Sequence, residues 1–395
     1  MRFDVCVVGG GTVGCAAALG FSQLGYSVLW ITKPAGQAQH QQPDYHQSLP
    51  VYMLTRASMY ILQHLGIWAQ ISTEISGPVY DMQIWDAHNT AQIQFPKPAD
   101  DGPMAWTVPH AALVQACKTH VASAKNIHFV AGTISHVVNT PAGATLQTVE
   151  GGHYEVSLLC AADGEHSWVR AHLDMPIQSK PYNQTAWTTR VHHSGMHHQC
   201  ARQRFSSEGP LAFLPMHNPQ ESAIVWSLNN PPDSEAALDR ALQIASEGIL
   251  GMLERSIPWK QDVLVERHAE QYAVGSTVLL GDAAHRLHPL AGQGLNLGLL
   301  DVACLLEQFH DEPDNVFKKQ RKLSRYARLR RGHNTEMIQT MWMLHQGYLN
   351  QSHACVSMRG FGMTVLDHAA FIKRSVVEYA MGRFPGAPTW AKVAP

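Results

Sequence analysis

The chain has 395 residues, which at about 150 residues per domain corresponds to two or three domains around a sizeable core. Its 45% hydrophobic content is ordinary for a globular protein, and a formal net charge of -2 argues against a nucleic-acid binder. The 7 cysteines are widely spaced without a C-x-x-C pair, which favours a reducing, cytoplasmic location. No apolar run approaches the roughly 18 residues of a membrane-spanning helix. Because Asp4 interrupts the apolar N-terminus, we expect no secretion signal.

The first 32 residues predict a β-α-β unit. Residues 3–8 are a short apolar run that ends at glycine, which is typical of a buried parallel strand. An Ala-rich helical pattern follows over 12–24, and residues 27–32 form a second apolar run. This order of elements predicts an α/β fold built on a doubly wound sheet.

The remaining pattern adds a β-rich insert and a helical end. Helices are predicted over 53–65, 109–122 and 235–250, and a hairpin over 80–95. Strands fill 127–160, and an antiparallel sheet is predicted from the segments 185–193, 202–206, 211–215 and 222–228. A further strand at 277–280 precedes residues that are helical from about 293 onward.

Gly9, Gly11 and Gly14 form a G-x-G-x-x-G pattern between the first strand and the first helix. Gly9 permits a tight turn, Gly11 lets the backbone approach a pyrophosphate, and Gly14 lets the helix pack against the strand. The N-terminus of the helix then faces the phosphate charge. In this context the pattern predicts a dinucleotide site, whereas glycines in a different context would form only a packed turn.

One expected part of this site is missing. A carboxylate about 20 residues further on normally holds the ribose hydroxyls, but that position is Thr32, and no Asp or Glu occurs from Val5 to Pro43. A threonine offers one hydroxyl instead of a charged, bidentate acceptor. Two alternatives follow: the adenosine end is held more loosely, or other residues compensate.

A second motif occupies residues 281–301. The strand at 277–280 delivers Asp282 at its carboxyl end, where α/β folds place ligands. A glycine-rich turn at 291–294 then starts a helix, and backbone N–H groups in such a turn attract anions. A chain with both motifs can grip a long dinucleotide at both ends.

The residues Gly281-Asp282 and the run His-Pro-Leu-Ala-Gly-Gln-Gly-Leu-Asn-Leu-Gly at 288–298 resemble the flavin-binding signature of the single-component, FAD-dependent aromatic hydroxylases. They are most similar to the branch that hydroxylates polyprenylated phenol rings in ubiquinone biosynthesis. The resemblance extends over residues 3–382, with further matching segments at 65–68, 162–170, 204–215 and 380–382. The chain departs from the family at Thr32, where an acidic residue is usual, and at Pro50, where the branch carries an arginine.

The resemblance implies a set of cofactor-binding residues. Those expected to receive the FAD pyrophosphate and ribose are Gly9, Gly11, Gly14 and Thr32. Those expected around the ribityl chain and the flavin ring are Asp282, Pro289, Gly292, Gly294, Leu295 and Asn296. Asp163 is expected where FAD and a transient nicotinamide meet. No second glycine fingerprint is present, so NAD(P)H has no dedicated fold.

The resemblance also implies an activity: FAD- and NAD(P)H-dependent hydroxylation of the aromatic ring of a polyprenylated phenol or benzoquinol intermediate of ubiquinone biosynthesis. NAD(P)H reduces the flavin and leaves, O₂ is the co-substrate, and a flavin C4a-hydroperoxide transfers oxygen to the ring. Because the flavin carries the chemistry, the sequence offers only His288 as a candidate catalytic, proton-handling residue. A purely structural histidine is the alternative.

The expected architecture is a discontinuous FAD-binding domain interleaved with an antiparallel-sheet substrate domain. We assign residues 1–75, 100–180 and 265–310 to the first domain, and residues 76–99 and 181–264 to the second. A C-terminal helical region covers 311–383, and 384–395 is expected to be a flexible tail.

The sequence also indicates which partners to expect. The expected partners are the polyprenylated substrate and a ubiquinone-biosynthesis protein complex. The basic helix at 318–331 can meet anionic lipid at the inner membrane, although a solvated helix face is the alternative. Residues 192–198 are rich in histidine but have no nearby carboxylate, so no metal is predicted there.

Three functional hypotheses remain at this stage. The first is the hydroxylase. The second is the same fold with a different chemistry, such as a polyprenyl reductase or a halogenase, although the Trp-x-Trp-x-Ile-Pro segment of halogenases is absent. The third is a weakly flavinated or non-catalytic scaffold subunit, which Thr32 and Pro50 motivate and the intact segment 281–301 opposes.

Overall fold

The computed structural model describes residues 1–34, 44–95, 97–98, 100, 102–288, 292–310 and 316–393. Its strands are β1 (Arg2–Val8), β2 (Val28–Thr32), β3 (Val51–Thr55), β4 (Gly77–Val79), β5 (Asp81–Asp86), β6 (Gln92–Phe95), β7 (Ala105–Pro109), β8 (Ile127–Ala131), β9 (Ile134–Asn139), β10 (Ala144–Thr148), β11 (His153–Ala161), β12 (Ile177–His193), β13 (Cys200–Phe205), β14 (Leu211–Pro215), β15 (Glu221–Leu228), β16 (Leu253–Arg255), β17 (Lys260–Ala269), β18 (Ala273–Val274), β19 (Thr277–Leu279) and β20 (His285–Arg286). Its helices are α1 (Thr12–Gln23), α2 (Arg56–His64), α3 (His110–Val121), α4 (Trp168–His172), α5 (Glu235–Ala245), α6 (Gln293–Gln308), α7 (Val316–Leu349), α8 (His353–His368) and α9 (Ala370–Ala380).

The first sheet is the predicted dinucleotide-binding sheet, with the strand order β18-β19-β11-β1-β2-β8 and the β9–β10 hairpin attached to β11. The central strands β19, β11, β1, β2 and β8 run parallel. Cys6, Val7, Val28 and Leu29 are fully buried, because helices cover both faces of a parallel sheet. The carboxyl ends of these strands therefore meet at one edge, and this edge carries the glycine loop and Asp282.

The second sheet is the predicted β-rich insert, with the order β20-β17-β12-β15-β14-β13-β5-β6. Most neighbours are antiparallel, as predicted, but β13 and β5 pair in parallel. One face packs against α5 through buried apolar residues that include Phe213, Ile224 and Trp226. The opposite face lines a cavity toward the first sheet.

A small third sheet, β3-β7-β4, lies between these two. The predicted helix over 53–65 was wrong at its start. Residues 51–55 form a strand that pairs antiparallel with β7, and the helix begins only at Arg56. Thr55 ends the strand and caps the helix, since its hydroxyl accepts a hydrogen bond from the Ser58 N–H at 3.3 Å.

Asp301 on α6 joins the C-terminal helices to the first sheet. Its carboxylate is fully buried and accepts hydrogen bonds from His285 Nε2 at 2.6 Å, Arg330 Nε at 2.7 Å and the Gly281 N–H at 3.0 Å. Although burial opposes the charge, His285 and Arg330 lower the pKa of Asp301 to about 2. Asp301 thus fixes the turn at 281–283 and the helix α7 at once.

Not all cations of the predicted basic helix at 318–331 are exposed. Lys319 is buried and donates to the carbonyls of Ala142 and Ser157, and Arg330 is buried against Asp301. Lys319 and Arg330 form hydrogen bonds with protein groups instead of water, so they are not part of the exposed basic face. Among the described residues, no helix combines the length and apolarity needed to cross a bilayer.

Residues 384–393, the described part of the expected flexible tail, contact the rest of the chain. Ala387 and Ala391 are buried, and the Thr389 N–H donates to Glu307 Oε1 at 3.2 Å. Small apolar side chains and a backbone contact to α6 thus hold residues 384–393 on the first domain.

Candidate functional site

The glycine loop between β1 and α1 combines two different uses of glycine. Gly9 has a φ of +126°, and a Cβ there would lie 2.0 Å from the carbonyl oxygen of Ala162. A Cβ on Gly14 would lie 2.2 Å from the carbonyl oxygen of Gly9. At Gly11, by contrast, no described atom beyond the chain neighbours lies within 4 Å of an added Cβ. Gly9 and Gly14 therefore serve close packing, while Gly11 leaves space open in front of the helix.

The N-terminus of α1 opens into this space. Gly11 is its N-cap residue and supplies no side-chain hydrogen bond, and the first turn contains no acidic residue. The first N–H groups of a helix have no partner within it, and they carry the positive end of its dipole. This loop can therefore bind an anion such as a pyrophosphate.

A cavity of about 1140 Å³ extends from the glycine loop along the ends of β2 and β8. Thr32 and Lys33 line it, as do Gly9, Gly11, Asp163 and Gly164. The Asp163 carboxylate accepts hydrogen bonds from Ser167 Oγ at 2.5 Å and from the Val169 N–H at 3.1 Å. Thr32 and Asp163 thus line the same cavity. Oδ2 of Asp163 accepts from an N–H in the first turn of α4, and its Oδ1 accepts from Ser167, the N-cap residue of that helix.

Asp282 lies in the short 3-10 turn Gly281–Ala283 and points into a second cavity of about 540 Å³. Its side chain is exposed to that cavity, and no described residue donates a hydrogen bond to its carboxylate. Desolvation by the surrounding protein raises the pKa of Asp282, although His285 and Arg286 act in the opposite direction. A ligand hydroxyl that donates a hydrogen bond to the Asp282 carboxylate would offset the desolvation of its charged form.

The N-terminus of α6 lines the same cavity through Gly292, Gly294 and Leu295. Asn296 has a structural role: its Oδ1 accepts from the Thr55 N–H at 2.9 Å and from Ser58 Oγ at 2.7 Å, and its Nδ2 donates to the Met53 and Gly292 carbonyls. The helix start is therefore fixed to β3 and α2. Pro289, the predicted wall of the ring site, lies outside the described residues.

The two cavities are neighbours, because Gly11, His110, Ala162 and Gly164 line both of them. The smaller cavity continues onto the uncovered face of the second sheet. Side chains at alternate positions of its strands share one face, and the apolar ones that line the cavity are Met82, Ala186, Ala201, Ala212, Leu214, Val225 and Leu264. The polar glycine and aspartate end of the space thus opens onto a wall that is largely apolar. Polar residues of the sheet also line it, among them Thr188, Arg202, Gln203, Lys260, Gln261 and Asp262.

Tyr52 and His110 lie at the junction and were missed by the sequence reasoning. Their rings meet edge to face with centroids 5.7 Å apart. Burial, with a smaller contribution from Asp282, raises the pKa of Tyr52 to about 12, and burial lowers the pKa of His110. Both side chains therefore stay neutral near pH 7. Their only sequence signal was a nearby proline, since Tyr52 lies two residues after Pro50 and His110 directly follows Pro109, and this carries no chemistry by itself.

His288, the predicted proton-handling residue, is buried behind the cavity wall. Its Nε2 lies 2.7 Å from Gln184 Oε1, and its ring packs edge-on against Tyr182 with centroids 4.8 Å apart. Burial, with a smaller contribution from His345, lowers the pKa of His288 to about 3. The ring remains neutral under ordinary conditions and lines neither cavity, so its position favours the structural alternative.

Comparison with known proteins identifies the family. The family model of the FAD binding domain matches residues 2–340. The chain belongs to this family. It is 28% identical to the 3-demethoxyubiquinol 3-hydroxylase of Escherichia coli (strain K12) over 96% of this chain and 98% of that protein. It is also 28% identical to the ubiquinone hydroxylase UbiL of Rhodospirillum rubrum, over 98% of this chain and 91% of that protein.

Solved structures share the fold of this flavoprotein. The p-nitrophenol 4-monooxygenase PnpA of Pseudomonas putida DLL-E4 aligns with a TM-score of 0.77 at 17% identity, over 97% of this chain and 98% of that chain. HpxO of Klebsiella pneumoniae, solved with FAD and uric acid, aligns with a TM-score of 0.74 at 16% identity, over 97% and 96%. The predicted family, fold class and FAD cofactor, and the class of FAD-dependent monooxygenase, are confirmed.

The residues of this chain fit FAD. Gly11, Gly164 and Gly294 face the cavities, and across the described part of the chain no atom beyond their own local backbone lies within 4 Å of a Cβ added to any of them. Two helix N-termini without a side-chain cap, those of α1 and α6, point into the same space. The open cradle, the two positive helix ends and the carboxylate of Asp282 match a long dianionic dinucleotide with a polyhydroxyl chain. Within the described residues, no cluster suits a metal ion.

Proposed function

We propose that the protein hydroxylates the aromatic ring of a polyprenylated phenol or benzoquinol intermediate of ubiquinone biosynthesis, using FAD, NAD(P)H and O₂. The observation that carries this proposal is the shared cavity, in which Asp282 and the start of α6 face the apolar wall of the second sheet. The relatives named above as ubiquinol and ubiquinone hydroxylases support the substrate class.

Each part of the chain has a definite task in this reaction. Gly11 and the α1 N-terminus would hold the pyrophosphate, Asp282 the ribityl hydroxyls, and the α6 N-terminus the ring edge where negative charge develops. When bound, FAD would supply the redox chemistry, namely acceptance of a hydride from NAD(P)H and activation of O₂. The apolar residues of the strand face would limit water around the substrate ring and orient it.

Tyr52 keeps its proton at neutral pH, so it can donate a hydrogen bond within the cavity. We assign it, with His110, to the positioning of the ring rather than to acid or base catalysis. Tyr52 and His110 lie where the two cavities meet. Because both side chains are neutral, they hold water less strongly there than a charged group would.

The test combines flavin content with isotope transfer. We expect near-stoichiometric FAD in the purified protein and NAD(P)H oxidation that a short-chain prenylated phenol accelerates. Under ¹⁸O₂, mass spectrometry should show one labelled oxygen in the product. A protein that neither contains nor takes up FAD would overturn the proposal and support the scaffold subunit, which Thr32 and Pro50 favour. A protein that binds FAD and oxidises NAD(P)H but leaves the ring unchanged would support a different chemistry on this fold.

We also propose peripheral contact with anionic membranes through α7. Exposed cations follow one another at intervals of three or four residues, namely Lys318, Arg321, Arg325, Arg328 and Arg331, and no carboxylate occurs between residues 316 and 335. Phe317 is exposed beside them. Each cation near an anionic bilayer contributes about 1 kcal/mol, so the face can hold the enzyme near a lipid substrate.

Vesicle flotation tests this contact. We expect binding to vesicles that contain anionic lipid and little binding to neutral vesicles. The combined change Arg321→Gln, Arg325→Gln and Arg328→Gln should abolish the difference. The matched control removes equal charge elsewhere, through Arg2→Gln, Lys125→Gln and Arg240→Gln, and should retain binding. An equal loss of vesicle binding in both variants would show that binding depends only on net charge, and it would contradict a role for α7.

A further inference from the structure

Among the described residues that line the cavity beside the glycine loop, no carboxylate lies free of hydrogen bonds to receive the ribose of FAD. Thr32 stands where an acidic residue would be expected. Among the described residues that line this cavity, Asp163 is the only acid, and each of its oxygens already accepts a hydrogen bond, one from Ser167 and one from the Val169 N–H. If FAD is held well here, a different kind of contact must hold its adenosine end.

Two large aromatic side chains in the same cavity are left uncovered. Phe129 on β8 is 53% exposed and Trp168 at the start of α4 is 37% exposed. Single exposed apolar residues need no explanation, but two rings that line one cavity next to a phosphate-binding loop do. An adenine ring is flat, apolar on its faces and of a size that such a site accommodates.

Both rings are held in place before any ligand arrives. Phe129 lies opposite Trp30 in the β2–β8 register, and the two rings meet edge to face with centroids 5.5 Å apart. The Trp30 indole in turn donates to the Gly9 carbonyl at 2.9 Å, which links this ring to the glycine loop. Trp168 stacks on His172 with centroids 4.4 Å apart. Prearranged rings lose little conformational entropy when a ligand binds.

We infer that Phe129 and Trp168 form an adenine-binding subsite that replaces the missing carboxylate contact at Thr32. Stacking on aromatic rings stabilises a base without any charged acceptor. The inference rests on FAD as the cofactor and goes beyond the proposed function, because it states how this chain compensates for its departure from the usual pattern. It also predicts that the flavin end of FAD does not depend on these rings.

Titration of the apoprotein with two flavins tests the subsite. FMN carries the flavin and one phosphate but no adenosine, so its binding reports only on the other end. In flavin fluorescence titrations, Phe129→Ala and Trp168→Ala should each weaken FAD binding by about 5-fold to 100-fold and change FMN binding by less than about twofold. Phe371→Ala is the control, since Phe371 is 83% exposed on α9 and lines neither cavity.

Each other result of this titration is decisive. An unchanged FAD affinity in both variants would overturn the subsite and leave the flavoprotein intact. Equal losses for FAD and FMN would show a general structural effect and would also overturn it. An unsubstituted protein that binds neither flavin would contradict FAD as the cofactor, a failure that is distinct from the other two.

A second variant asks whether rings and a carboxylate can replace each other. Thr32→Glu restores the charged acceptor at the end of β2, and a hydrogen bond to a charged group should strengthen FAD binding by about tenfold. Added to Phe129→Ala, the same change should recover much of the lost affinity for FAD without altering that for FMN. If Thr32→Glu leaves the FAD affinity of both backgrounds unchanged, the adenosine does not lie beside Thr32 and the inference is wrong.

Discussion

Replacing Gly11 with valine is expected to lower FAD affinity by at least about a hundredfold while the protein remains folded. The backbone at Gly11 has φ -78° and ψ 176°, an extended conformation that valine adopts readily. Apart from its chain neighbours, no described atom lies within 4 Å of the new Cβ, so the substitution begins in open space. It occupies the space in front of the α1 N-terminus, where the pyrophosphate would bind.

Gly9 in the same motif provides the contrast. Gly9→Ala places a methyl group 2.0 Å from the Ala162 carbonyl oxygen on a backbone with φ +126°, so we expect a loss of folded protein rather than a selective loss of cofactor. Flavin content, circular dichroism and thermal unfolding of both variants separate the two effects. A Gly11→Val protein that keeps full FAD affinity would show that the pyrophosphate does not bind at this helix.

The cofactor end of the site was predictable because its chemistry follows from local backbone geometry. A turn that needs glycine, a helix that starts in open space and an aspartate at the end of a strand each leave a mark within a few residues of sequence. Gly9, Gly11, Thr32, Asp163 and Asp282 accordingly lie along the two cavities. The roles of these residues toward FAD stay predictions until binding is measured.

The substrate end was less predictable because it is assembled from distant segments. Strand β17 was not predicted at all, since Lys260–Ala269 contains many charged residues, yet its pairing with β12 places Lys260, Asp262 and Leu264 in the cavity wall. Tyr52 and His110 become neighbours only through the β3–β7 pairing. Such contacts depend on the pairing register of strands that are far apart in the chain. Local sequence patterns do not encode that register.

The second large effect concerns Asp301, the last residue of the motif that begins at Gly281. Asp301→Asn should destabilise the protein by about 3 to 5 kcal/mol, because it leaves the buried guanidinium of Arg330 without its counter-charge. One amide oxygen also cannot accept from His285, Arg330 and the Gly281 N–H together. The turn that presents Asp282 should loosen, so FAD affinity should fall as well. Denaturant unfolding and flavin titration measure the two effects.

Two further variants test whether the lost charge of Asp301 causes the destabilisation. Asp239→Asn also removes one carboxylate that pairs with an arginine, Arg255, but at a partly exposed position, where the expected cost is below about 1 kcal/mol. Arg330→Met added to Asp301→Asn should recover part of the lost stability, because removing both partners leaves no isolated charge.

The pH dependence has a definite sign. Because the pKa of Asp301 is lowered to about 2 from its ordinary value near 3.8, its contribution to stability is complete above about pH 4 and declines as the pH falls toward 2. The difference in stability between the unsubstituted protein and Asp301→Asn should therefore narrow over that interval. A difference that stays constant between pH 4 and pH 2 would mean that packing at residue 301, rather than its ion pair with Arg330, holds α6 to α7.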